Sequence, residues 1–128
     1  MIKLEDALRL HELSIERFGG SSGVREMDGL LAALGRPYAT FGGELLYRSV
    51  FEMAAAIGES IIMNHPFVDG NKRTGLLLMD YLLYNEGYLL EFSFEEGYQF
   101  VVDMAVGTAR FEDAVEWLKA HSRPSGSI

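Results

Sequence analysis

Cysteine is absent from the chain, which excludes thiol catalysis, zinc fingers and redox motifs and favours a reducing, intracellular setting. Basic residues are scarce: 11 Lys and Arg against 19 Asp and Glu leave a formal charge of -8. Such a balance gives no general attraction to nucleic acid or to an anionic membrane, so a phosphate-binding site has to be local. Long apolar runs are missing too. The opening MIKLEDALRLHELSIERF is interrupted by charge every few residues, and no later stretch reaches a membrane span, so the expectation is a cytoplasmic protein. What remains is one compact domain of 128 residues, 48% of them hydrophobic. A chain of that size can remove roughly two-thirds of its unfolded surface from water without a disulfide or structural metal.

Strand alternation is scarce as well, confined to residues 88–94. Helical spacing is abundant. Leu4, Leu8, His11, Ile15 and Phe18 fall on one stripe over 3–18, ended by Gly19 and Gly20, and the GGSSG that follows reads as a linker turn. Apolar positions 24, 27, 30, 31 and 34 predict a second helix until Gly35 and Pro37, with a loop through TFGGE after it. Over 46–64, Val50, Ala54, Ile57 and Ile61 form one face, with Glu52 and Glu59 on the wet side. Residues 76–84 are apolar except Asp80, which predicts the central, buried helix. Two more patterns cover 94–106 and 112–121, the last with Ala114, Val115, Trp117 and Leu118 inward. The expectation is an all-α fold of about six helices over 1–121, with 122–128 as a frayed tail.

The chemistry-bearing segment is His65-Pro66-Phe67-Val68-Asp69-Gly70-Asn71-Lys72-Arg73-Thr74, wedged between two of the most apolar helices. Pro66 ends the preceding helix and biases His65 out of the helical region. Asn71 reads as an N-cap, which puts Lys72, Arg73 and Thr74 in the first turn of the buried helix, with free N–H groups and the positive dipole end facing outward. That is an anion site; Gly70 permits close backbone approach, and Arg73 can fork onto two phosphate oxygens. Asp69 offers a hard oxygen for Mg²⁺ shared with nucleotide phosphates. His65 is then the natural base for a hydroxyl attacking phosphorus. Taken singly, the same residues also read as a cap, a turn former, two solvated cations and a helix-ending side chain.

HPFVDGNKRT closely resembles the signature of the Fic/Doc family, His-Pro-Phe-x-Asp/Glu-Gly-Asn-Gly/Lys-Arg, at every defined position. LHELSIERFGG, GVREMDGLLAALGRP and TFGGELLY also look like the upstream half of death-on-curing proteins, so the resemblance spans about residues 8–90. It implies a compact six-helix Fic/Doc domain in which His65 is the catalytic base and Asp69 the metal-associated acid. Gly70, Asn71, Lys72 and Arg73 are then the phosphate-binding set and Phe67 a buried anchor. Lys72 stands where AMP-transferring members have Gly, and Leu76 where they have a second Arg. Both departures follow the Doc branch, which implies a kinase using ATP and Mg²⁺ to phosphorylate elongation factor Tu and arrest translation. The rival readings are AMP transfer to a protein hydroxyl and a non-catalytic binding module.

Self-inhibition of the family's Ser/Thr-x-x-x-Glu-Gly/Asn kind is not expected: Thr40–Glu44, Ser22–Glu26 and Thr108–Glu112 have the spacing, but Leu45, Met27 and Asp113 follow. The resemblance implies instead a separate antitoxin whose segment folds as a helix into a groove. His11, amid apolar neighbours, reads as a core histidine bonded to backbone. Asp80 must find a partner or a watery cleft. His121 reads as a tail residue without a role, and Met53, Met63 and Trp117 as core.

Overall fold

The structure is a computed structural model and describes residues 1–126. Among the described residues it holds six α-helices and two small antiparallel strand pairs. Helices α1 (Leu4–Phe18) and α2 (Met27–Gly35) lead through a 3-10 turn (Arg36–Tyr38) to strands β1 (Thr40–Phe41) and β2 (Glu44–Leu45). Then come α3 (Val50–Asn64), α4 (Asn71–Asn85), β3 (Tyr88–Leu90), α5 (Phe94–Val106), α6 (Phe111–Ala120) and β4 (Ser122–Pro124). No helix is long and apolar enough to cross a membrane among the described residues.

Local chemistry sets the helix starts. Ser49 accepts from the Glu52 amide at 3.1 Å while the Glu52 carboxylate accepts from the Ser49 amide at 3.0 Å, a capping box that delays α3 to Val50. Ser93 and Glu96 do the same for α5, at 3.1 and 2.8 Å. The stretch before Ser49, expected to be helical from 46, instead belongs to the β1–β2 hairpin and its return, where TFGGE forms the turn.

Helix α3 packs against α2, α4, α5, α6 and the 3-10 turn. Its buried residues are mostly small, Ala54, Ala55, Ala56, Gly58 and Ser60 among them, so a neighbour can approach closely. Helix α4 does so through Gly75, where an added Cβ would lie 2.8 Å from Ile62 Cγ1 and 3.3 Å from the Gly58 carbonyl. Helix α4 buries Thr74, Gly75, Leu78, Met79, Leu82 and Leu83 in this core.

Several expectations are corrected. Phe18 is 62% exposed because Ala7, His11, Ser14 and Ile15 face the core of α1 instead. Val24 lies outside α2, paired with Phe67 in an isolated antiparallel bridge, and Met27, Leu31 and Met63 are exposed. Residues 122–124, placed by sequence in a frayed tail, form β4 in register with β3, Leu89 opposite Arg123. The Ser125 amide donates to the Gly87 carbonyl at 2.9 Å, and residues 127–128 of that tail lie outside the described residues. His121 is tied in: its ring stacks on Trp117 at 3.9 Å, its Nδ1–H donates to the Trp117 carbonyl at 2.8 Å, and Nε2 lies 3.3 Å from Glu96.

Candidate active site

The loop between α3 and α4 is held from below by one buried residue. Phe67 is fully buried and stacks on the His11 ring, centroids 4.0 Å apart and planes 9° apart. The His11 Nε2 lies 2.8 Å from the Asp69 carbonyl. A carbonyl only accepts, so Nε2 carries the proton and the tautomer is fixed. The core histidine read from sequence is thus a strut under the motif loop.

Asn71 has a different role from the one its position suggests. Gly70, left-handed at φ 74, is the N-cap of α4, and Asn71 is its first helical residue. The Asn71 amide turns back, accepting from the Phe67 N–H at 2.9 Å and donating to the Phe67 carbonyl at 3.0 Å. It closes the loop as a clamp, and the amides of the first α4 turn stay free for a ligand.

His65 leaves the right-handed helix, as Pro66 requires, but into the left-handed region at φ 49 rather than into extended backbone. A β-carbon there costs roughly 1–2 kcal/mol, and Arg25 supplies the restraint. Its guanidinium donates to the His65 carbonyl, through Nε at 3.0 Å, and to the Asn64 carbonyl at 3.2 Å. The Arg25 and Glu26 amides both donate to the Pro66 carbonyl, and the Val68 amide donates to that of Gly23. The imidazole of His65 is left exposed.

Asp69 sits under the GGSSG turn. One carboxylate oxygen accepts from the Gly70 amide at 2.8 Å and the other from the Ser21 amide at 3.2 Å. These bonds favour the charged form and hold the carboxyl below the usual carboxylate range, the Gly70 amide contributing most. Gly20, at φ 115, is required because a Cβ would lie 2.6 Å from the Asp69 oxygen. The turn that sequence treated as a linker is therefore part of the site. Both act on the loop from 40 or more positions away in the chain, the Ser21 amide on Asp69 and Arg25 on His65, so only the contact reveals them.

Among the described residues no cluster of three or more His, Asp or Glu could hold a metal by itself. Asp69 suits Mg²⁺ as one anionic oxygen ligand, with waters and phosphates supplying the rest. Lys72 is exposed, and Arg73 reaches back to donate to the Gly19 carbonyl at 2.9 Å, its guanidinium 5.5 Å from the Phe18 ring centroid. From these cations a groove of about 490 Å³ runs along α4, past Leu76, Leu77 and Asp80, to a wall from Phe92, Phe94, Tyr98 and Val101. The arrangement brings the Asp69 carboxylate, the free amides of the first α4 turn and the Lys72 and Arg73 cations to one groove, which suits binding of phosphate; His65 lies on the same loop but is not among the residues that line that groove.

A model of the Fic/DOC family matches residues 1–83. Over 57 residues the chain is 47% identical to a protein named Toxin Doc from Mycolicibacterium smegmatis, 44% of each chain being covered. Over 75 residues it is 33% identical to the protein named Protein kinase doc of Escherichia phage P1, with 59% of each covered. The matches thus span about half the length of these relatives.

Proposed function

The chain belongs to the Fic/DOC family, and from that premise we propose that it is a Doc-like toxin, a kinase that moves the γ-phosphate of ATP to a Thr or Ser hydroxyl of a protein. The target to which the resemblance points is elongation factor Tu, so that growth stops through translation and the protein works in the cytoplasm. The observation that carries this reading is the groove at the start of α4 lined by Asp69, Gly70, Lys72 and Arg73, with the exposed, backbone-restrained His65 on the same loop.

His65 takes the proton from the target hydroxyl as its oxygen bonds to the γ-phosphorus, and the bridging oxygen departs with ADP; the proton then passes from imidazole to solvent. The amides after Gly70, with Lys72 and Arg73, neutralise charge on the transferring group. Asn71 keeps those amides in place through Phe67. Asp69 would hold Mg²⁺ jointly with the nucleotide phosphates, the ion supplying charge neutralisation on the diphosphate. Lys72 occupies space that a glycine would leave open, which favours presentation of the γ rather than the α phosphate.

An antitoxin is the regulatory partner of this reading, its helical segment seated in the groove beside α4. The test is the intact mass of elongation factor Tu after incubation with the protein, ATP and Mg²⁺. A gain of one phosphate, lost with His65→Ala, supports the kinase. A gain of one AMP would overturn the argument from Lys72, and no gain would remove elongation factor Tu as the target and reopen the question of activity.

A further inference from the structure

Asp80 stands half-buried at mid-helix in α4, facing the groove between Leu76 and Leu77 on its own helix and the exposed aromatic rings of Phe94 and Tyr98 opposite. Its carboxylate makes no hydrogen bond or ion pair among the described residues. The cations of the site cannot serve it. Arg73 is seven residues back, about 10 Å along the helix axis, and is committed to the Gly19 carbonyl and the Phe18 ring. A carboxylate drawn partly out of water without a partner disfavours the folded chain, and any apolar residue would pack there without that cost. Burial accordingly pushes the Asp80 carboxyl up from its ordinary value.

We propose that Asp80 is the specificity residue of the groove, selecting a partner helix whose otherwise apolar face carries one lysine or arginine aligned with it. The inference deepens the antitoxin reading above and rests on it for the partner's identity. Shape favours a helix: the groove is an open channel between α4 and α5, and its outer wall has Phe94 73% and Tyr98 59% exposed. Such a trough takes an amphipathic segment by its hydrophobic face. Charge favours a basic one. A lone acid amid apolar walls rejects a helix that is apolar throughout, because docking would strip the carboxylate of its remaining water. The chain's net charge of -8 draws a cationic segment from a distance.

The probe is a displayed library of helical peptides with leucines fixed on one face and a single position of that face fully randomised, selected against the wild-type chain and Asp80→Asn. Lysine or arginine should dominate the randomised position on the wild type alone. A selected lysine peptide should lose roughly tenfold in affinity on Asp80→Asn, and its Lys→Gln form should bind both chains equally. An apolar residue at that position, equal affinity for both chains, binding indifferent to Tyr98→Asp, or no binders at all would each overturn the proposal. Near-ultraviolet circular dichroism checks that both variants fold. Failure of the toxin reading is separable: cationic peptides that bind with Asp80 dependence, while the chain modifies no elongation factor, would uphold the groove and remove the kinase.

Discussion

Asn71→Asp distinguishes a cap from a clamp. As an N-cap, aspartate serves as well as asparagine, and its charge at the helix start would add about 0.3–1 kcal/mol of stability. The geometry predicts the opposite. The Oδ1 atom that accepts from the Phe67 N–H at 2.9 Å survives the change, but the Nδ2 donor 3.0 Å from the Phe67 carbonyl becomes an oxygen facing an oxygen. A part-buried carbonyl left without its donor costs about 1–3 kcal/mol. Set against the dipole gain, a net loss of about 1–2 kcal/mol remains, a drop in Tm of roughly 3–8 °C for a chain of this length. Calorimetry and urea denaturation followed by Trp117 fluorescence would measure it. Acid should shrink the deficit, since a protonated carboxyl regains an O–H donor. An Asn71→Asp chain as stable as the wild type at neutral pH would refute the clamp.

At the α3–α4 crossing, Gly75→Ala should destabilise by about 1–3 kcal/mol through overpacking, despite alanine's better helix propensity, because the new Cβ meets Ile62 and the Gly58 carbonyl; a stabilised variant in urea denaturation would show slack there. Arg25→Ala releases the Asn64 and His65 carbonyls, so kcat of the transfer reaction should fall with KM for ATP little changed, and Arg25→Lys should restore part of it. Unchanged kcat would sever Arg25 from the placement of His65. Asp80→Asn should be more stable than the wild type at neutral pH. Burial raises the folded-state pKa of Asp80 above the reference 3.8, so the contribution of this one group is fully present below that value and is lost as pH rises through the folded pKa. A gap between the two chains that widens on acidification would contradict this.

Much of the fold was legible because it depends on near neighbours. The stop at Pro66 and the spacing of Ile57 and Ile61 are local codes, and helices formed where they pointed; the capping box at Ser49 is equally local but was not read, so α3 starts at Val50 rather than at 46. The family was legible for a different reason: HPFVDGNKRT matches its signature at every defined position, and the family model covers residues 1–83. Less accessible was what the loop rests on. His11 lies 58 residues from the carbonyl it holds, and Arg25 lies 40 from His65, so no periodicity connects them. The role of Asn71 was misread because helix-start statistics favour a cap, whereas the left-handed Gly70 took that position and freed the amide to bind Phe67. Likewise Phe18 kept its place on an apolar stripe while the packing of α1 turned it outward, over Arg73.

Local spacing was thus enough for the all-α class and for the place of the polar loop and the start of α4 between two apolar helices, since each follows from side-chain type within a short segment. Only the tertiary structure decided that GGSSG covers Asp69, that Arg25 restrains His65 and that Asp80 faces a groove without a partner. Those facts depend on chain-distant surfaces meeting, and the energy of such meetings is not written in any local pattern.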